Sequence, residues 1–87
     1  MKGIIAKVKW TTNNVILGIR VFLFCFGEKC MSGKISKFKQ LILPQEFEIW
    51  VEFIDPSYFQ NEFIIGKIFT INEASKILGK GEITEIE

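Results

Sequence analysis

Histidine is absent from this sequence, and aspartate occurs once, at Asp55 before Pro56. The absence of histidine removes the commonest general base and the commonest neutral metal ligand. Serine has no histidine to activate it, and no Gly-x-Ser-x-Gly elbow is present. Paired glutamates such as Glu48 and Glu52 lie on open, alternating segments rather than in a cleft. We therefore expect no enzyme, no catalytic residue, no metal and no cofactor. A catalytic domain that uses glutamate pairs is the weakest alternative.

The sequence also lacks a clear excess of positive or negative charge. Eleven basic residues against ten acidic ones give a net charge of +1. A dedicated nucleic-acid binder usually carries a clear positive excess, because its affinity comes from neutralising phosphates. The balance argues against such a binder and leaves only a local basic patch open.

Cysteine occurs twice, at Cys25 and Cys30, and no second pair or histidine completes a zinc site. Two cysteines are too few to indicate a disulfide framework, and free cysteine is among the most buried residue types. We predict two reduced, structural thiols.

Long hydrophobic runs are missing as well. Lys7 and Lys9 interrupt the N-terminal segment, so it lacks the continuous apolar stretch of a signal peptide. The most apolar run, Val15 to Phe26, spans twelve residues and contains Arg20, whereas a membrane helix needs about twenty. We predict a cytoplasmic protein that does not enter a membrane.

What the chain has in abundance is alternating apolar residues. It is 48% hydrophobic with nine phenylalanines, enough for one core, so residues 1–87 are expected to form a single domain. Period-two alternation predicts six strands: Ile4–Trp10, Arg20–Phe26, Lys34–Leu41, Glu46–Phe53, Phe63–Ile71 and Lys76–Ile86. Turns or loops are predicted at Thr11–Asn14, Gly27–Gly33 and Asp55–Tyr58. Only Pro56–Glu62 or Asn72–Ile77 could hold a helical turn.

Six short strands, polar turns and no helices indicate an all-β fold, either an antiparallel barrel or a sandwich. A barrel is the preferred architecture at this length, because closing the sheet removes exposed strand edges.

Lysines recur on two predicted strands: Lys7 and Lys9 on the first, and Lys34, Lys37 and Lys39 on the third. These lysines could form a basic strip that contacts successive phosphates of a nucleic acid. Alternatively they form a solvated face that pairs across strands with glutamates 46, 48 and 52. We favour the solvated face, because a true electrostatic footprint would be one-sided.

Trp50 is in phase with three glutamates, so strict alternation turns it outward. An outward tryptophan is a good anchor for a partner. A bulge that breaks the alternation would instead pack it under a loop, and the sequence leaves both readings open.

Two glycines stand one residue apart in Gly79-Lys80-Gly81. The phosphate-loop spacing and a following helix are absent, so no nucleotide is expected here. In a strand, glycine allows a bulge, a barrel corner or the close approach of another backbone.

The C-terminal half carries a resemblance to a known family. Its motifs are Leu43-Pro-x-x-Phe-x-Ile-x-Val51, a strand ending in Asp55-Pro56, Gly66-Lys-Ile-Phe-Thr-Ile71, and Glu73-Ala-Ser-Lys-Ile-Leu-Gly-Lys-Gly81. With these motifs the stretch from residue 43 to 87 resembles the C-terminal β-barrel domain of elongation factor Tu and related translation GTPases. The resemblance extends more weakly to Ile5-Ala-Lys-Val8, Gly18-Ile-Arg20 and Ser32-Gly33. It implies a six-stranded antiparallel Greek-key barrel, here as a stand-alone domain without GTP hydrolysis.

The resemblance also implies a function, since the family's barrel helps to hold aminoacyl-tRNA and meets protein partners. Carried over by position, Ser32 and Gly79 match places where the family approaches tRNA phosphate and sugar. The family's Gly-Gly-Arg loop has no counterpart between the first two strands, and Ala74, Ser75 and Lys76 replace the glycines and arginine of its later turn. The expectation is a non-catalytic, translation-related binding module whose partner is RNA or a protein. The candidate partner-binding residues are Arg20, Ser32, Trp50, Lys76, Gly79 and Lys80. The alternative is a protein-interaction or structural module without RNA binding.

Overall fold

A computed structural model of the chain describes residues 3–11, 21–43, 45–54, 61, 63–73 and 75–87. In these ranges the chain forms six strands: β1 (Gly3–Trp10), β2 (Val21–Phe26), β3 (Lys29–Gln40), β4 (Glu46–Phe53), β5 (Ile68–Glu73) and β6 (Lys76–Ile86). The described residues contain no helix, and so none that is long and apolar enough to cross a membrane.

The strands close into a barrel in the order β1-β4-β3-β2-β5-β6, and every neighbouring pair is antiparallel. Strands β2, β3 and β4 form a meander, and β1, which precedes them in the chain, lies beside β4. This is the Greek-key arrangement. The first and last strands, β1 and β6, complete the circle. The predicted all-β, six-stranded antiparallel Greek-key barrel is confirmed.

The core follows from the alternation of the strands. In β4, Phe47, Ile49, Val51 and Phe53 point inward, and the intervening glutamates and Trp50 point outward. In β1, Ile4, Ala6, Val8 and Trp10 are buried while Lys7 and Lys9 are exposed. Period-two patterning therefore predicted the inner face of both strands correctly.

Phenylalanine rings fill much of the interior. Phe24 contacts Phe53 edge-on with 5.5 Å between ring centroids, and it lies 5.9 Å from Phe69. Phe26 lies 5.2 Å from Phe69, and Phe63 lies 5.3 Å from Phe53. Aromatic pairs at these separations add to the stabilisation from burial alone.

The barrel bends at three register shifts. One lies within β3 between Ile35 and Lys37, where Ser36 is the extra residue opposite β4. The other two lie on β6, where Thr84 is extra opposite β1 and Leu78 is extra opposite β5. An extra residue bends its strand and increases the local twist, which a closed sheet of six strands needs.

The predicted bounds of β4 and β6 are confirmed, and β1 begins one residue earlier than predicted. The predicted loop over Gly27–Gly33 is wrong. Only Gly27 and Glu28 form the turn, and β3 begins at Lys29 because Cys30, Met31 and Ser32 continue the ladder with β2. Gly33 belongs to the strand, because it pairs with Phe22 of β2 and with Phe53 of β4. The Phe24 and Val51 side chains fill the space that a Cβ there would need.

The predicted start of the fifth strand is also wrong. The strand begins at Ile68 rather than at Phe63, because residues 65 and 66 form a turn in which Gly66 has a φ of 92°. Phe63 still packs against the core. The residues described between Asn72 and Ile77 belong to the β5–β6 hairpin and not to a helical turn.

The prediction of reduced thiols is contradicted. Cys25 and Cys30 form a disulfide across the β2–β3 hairpin. They are directly opposite in the register and their Cα atoms are 4.0 Å apart, the close spacing of a non-hydrogen-bonded antiparallel pair. The linear spacing concealed this pairing, because it depends on a turn of only two residues.

Some predictions fall outside the described residues. These are the turn residues after Thr11, the Asp55–Tyr58 turn, the helical turn from Pro56, and the candidate partner residue Arg20.

Candidate partner-binding groove

Charged side chains form rows across the outer face of β6, β1, β4 and β3. Glu82, Lys7, Glu48 and Lys39 occupy one row, in which each residue is directly opposite the next. Lys34 faces Glu52, and Glu73 faces Lys76. Opposite charges at such positions attract across the strands. In these rows the lysines lie beside glutamates, as the solvated-face interpretation predicts.

One pair departs from this arrangement. Lys9 on β1 is directly opposite Lys80 on β6. Among the charged pairs that the described strands place directly opposite each other, it alone has two charges of the same sign. Directly opposed like charges destabilise a sheet. Glu46 on the other side of Lys9 offsets part of this repulsion.

Lys9 and Lys80 both line a depression of about 430 Å³, which we call the lysine groove. It is lined by Lys7, Val8, Lys9, Glu46, Ile68, Lys80, Gly81, Glu82 and Thr84. Three lysines and two glutamates thus line the concavity together with apolar residues, and the like-charge pair is the part of it without a glutamate between the two lysines. An anionic group placed between Lys9 and Lys80 would be attracted by both side chains and would relieve their mutual repulsion.

Trp50 is partly exposed, and a lysine contacts its ring. Its side chain points outward and is half-buried, and Lys37 Nζ lies 4.7 Å from the centroid of its ring. Ser36, the extra residue of the β3 bulge, donates a hydrogen bond from Oγ to the Trp50 carbonyl oxygen at 3.3 Å. The cation–π contact covers the ring with a flexible lysine, which a partner could displace.

Three of the predicted partner residues lie on β6. Lys76 and Lys80 are exposed, and Lys80 lines the lysine groove. Gly79 is buried, and a Cβ there would lie 2.8 Å from Trp10 Cε3 and 2.9 Å from the Lys9 carbonyl oxygen. Trp10 itself is buried, and its indole nitrogen has no acceptor among the described residues. Gly79 therefore serves the packing of β6 on β1 and offers a partner little surface.

Ser32 lies on β3, which is three strands from β6 in either direction around the barrel. It lines a second depression of about 200 Å³ with Val21, Gly33, Lys34, Glu52, Phe53 and Ile54. Val21 and Ile54 are among the exposed apolar residues, so this apolar groove has a charged rim. The structure consequently brings Lys76 and Lys80 onto one strand and separates Ser32 from them.

The sequence had not assigned Lys9 to the site, although it stands opposite Lys80. No local pattern could have shown this pair, since it forms only when the first and last strands meet. Among the described residues no polar or charged side chain is buried, and no group of three metal-ligating side chains occurs.

Comparisons with protein-family models, with curated proteins and with solved structures gave no match to this chain.

Proposed function

We propose that this chain is a non-catalytic binding module that holds RNA by its phosphates in the lysine groove. The observation that carries the proposal is the direct opposition of Lys9 and Lys80 beside a concavity. A repulsive pair costs stability in the free protein and becomes favourable when a phosphate lies between the two ammonium groups. Lys7 also lines the groove, but it lies between Glu48 and Glu82, so the proposal rests on Lys9 and Lys80.

The resemblance to the C-terminal barrel of elongation factor Tu supports the same proposal, since that barrel contacts tRNA. Lys76 and Lys80 lie in the stretch that carries the resemblance. A translation-related role is therefore part of the proposal. Ser32 is not included in this RNA surface, because β3 lies across the barrel from β6.

Fluorescence anisotropy with a labelled tRNA and with an unstructured RNA tests the proposal. Affinity is expected to fall with salt between about 50 mM and about 200 mM. The double substitution Lys9→Gln with Lys80→Gln should weaken binding and lower the slope of log affinity against log salt by about 1.4, the value for two phosphate contacts on a single strand.

The matched control is Lys29→Gln with Lys34→Gln, which removes the same charge from exposed positions on β3. It should leave the salt slope unchanged. Equal losses in the two double variants would show a non-specific charge effect, and an absence of RNA binding to the wild type would refute the proposal.

A protein partner is the second candidate function, and the apolar groove beside Ser32 favours it. Ile54 is 77% exposed and Val21 is 60% exposed, which suits an apolar contact with a polar rim. Affinity capture from a lysate at low and high salt, with RNA and protein both identified, separates the two candidates. A protein that resists high salt and is lost on Ile54→Asp, but not on the control Ile42→Asp, would favour this candidate.

A further inference from the structure

We infer that Cys25 and Cys30 form a reversible thiol–disulfide exchange site, which a dithiol reductant opens and a second disulfide, itself reduced to thiols, closes by the reverse exchange while the barrel stays folded. The inference is independent of the RNA proposal. It follows from where the bond lies, on the outer face of the β2–β3 hairpin.

The bond is accessible from one side. Cys30 is exposed and Cys25 is half-buried. Cys25 faces Thr70 of β5, whereas the pairing of β3 with β4 begins only at Gly33. No described strand therefore flanks Cys30 on the side away from Cys25. A thiolate must approach the attacked sulfur in line with the bond that breaks, and the exposure of Cys30 allows that approach.

The exchange is a balanced two-electron reduction. The thiolate of a thioredoxin-type dithiol attacks Cys30 Sγ, and the sulfur–sulfur bond breaks with its electron pair on Cys25 Sγ, which takes up a proton. The second thiol of the reductant then attacks the mixed disulfide and releases Cys30 as a thiolate, which is protonated in turn. The reductant leaves as its own disulfide.

The barrel does not depend on this bond. Residues 21–26 of β2 are paired with residues 34–29 of β3, and β2 is also paired with β5. The two cysteines are separated by five positions in the chain, and a disulfide that closes so short a loop restricts the unfolded chain least. Neither cysteine belongs to the core cluster. After reduction the two thiols remain opposite each other, ready to close again.

Native-state reduction tests the first part of the inference. The oxidised protein is treated with dithiothreitol in increasing, sub-denaturing urea, and free thiols are alkylated and counted by mass spectrometry. Both thiols should appear at a rate that does not change with urea, while the far-UV circular dichroism stays constant. A rate that rises with urea in step with global unfolding, or a loss of the strand signal on reduction, would overturn it.

A trapping experiment tests the site of attack. A thioredoxin-type protein whose resolving cysteine is replaced by serine should form a mixed disulfide with the native chain, and peptide mapping should place it on Cys30. A mixed disulfide on Cys25, or equal amounts on both, would contradict the assigned geometry. The double variant Cys25→Ser with Cys30→Ser is the control, and it should remain folded and give no adduct.

Discussion

Gly79 and Gly81 both occupy inward positions of β6, where other side chains already fill the space. A Cβ on Gly79 would meet the Trp10 ring and the Lys9 backbone. A Cβ on Gly81 would lie against the Phe69 ring and 2.6 Å from Val8 Cγ1. At Gly79 the close neighbours include the backbone of β1, and close approach of another backbone is what the sequence predicted for a glycine in a barrel strand. At Gly81 the nearest neighbour is an aromatic ring. The glycine pair is thus a consequence of core packing.

Gly81→Ala is expected to destabilise the protein by about 1–3 kcal/mol, the usual cost of overpacking a filled core. Urea unfolding measures the change. In a Phe69→Leu background the same substitution should cost less, because the end of the ring that meets the new methyl group is gone. If alanine at position 81 cost the same in both backgrounds, Phe69 would not be the cause.

Gly27 has a different reason to be glycine. It is the first residue of the two-residue β2–β3 turn, its φ is 65°, and a Cβ there would have no neighbour within 4 Å. A positive φ at this position is the requirement of primed hairpin turns.

Gly27→Ala is therefore expected to cost about 1–2 kcal/mol from backbone conformation alone. Gly27→Asn should cost less, since asparagine tolerates the left-handed region. Thermal unfolding of the two variants compares them directly. Equal losses for alanine and asparagine would mean that the backbone conformation does not set the cost.

At the scale of a strand, the bulge at Ser36 decides which way the lysines of β3 point. Strict alternation would turn Lys34 and Lys37 to opposite faces. Because Ser36 is an extra residue, Lys34 faces Glu52 and Lys37 faces Trp50, and both point outward. The sequence placed these lysines on one strand correctly, but it could not locate the bulge, which depends on how β3 must bend to close the barrel.

The strands that were predicted most accurately from the sequence are β4, where alternation is regular, and β6, which follows a polar turn. Errors arose where a turn has few residues. The polar run from Gly27 to Gly33 resembles a loop in composition, yet Cys30 within it pairs with Cys25 across the hairpin. Composition predicts a loop, whereas cross-strand pairing decides the structure.

The disulfide should contribute modestly to stability. For a loop that closes over a sequence separation of five, the chain-entropy relation gives about 2 kcal/mol. Cys25→Ala with Cys30→Ala should therefore lower the free energy of unfolding by no more than about 2 kcal/mol. Urea unfolding with and without dithiothreitol checks this, and reductant should affect only the wild type. A variant that cannot fold would show that the bond is essential.

At the scale of the whole molecule, the candidate site is created by barrel closure. Lys9 and Lys80 stand near opposite ends of the sequence and become neighbours because β1 pairs with β6. The alternation of each strand predicts that both lysines point outward. It contains no information on which strands are neighbours, so the like-charge pair and the groove beside it were beyond prediction.

Because Lys9 lies opposite Lys80, a substitution that removes their repulsion should stabilise the free protein and weaken its binding of RNA. Lys80→Glu puts a carboxylate opposite Lys9, so the free protein should gain about 0.5 kcal/mol. The gain should shrink as salt screens the exposed pair. RNA affinity should fall further than with Lys80→Gln, because the substitution adds a negative charge as well as removing a positive one. Urea unfolding at low and high salt, with anisotropy on the same samples, measures both effects. If Lys80→Gln were no more stable than the wild type at low salt, the repulsion between Lys9 and Lys80 would not be a cost that the free barrel bears, and the main support for an anionic partner at this groove would be lost.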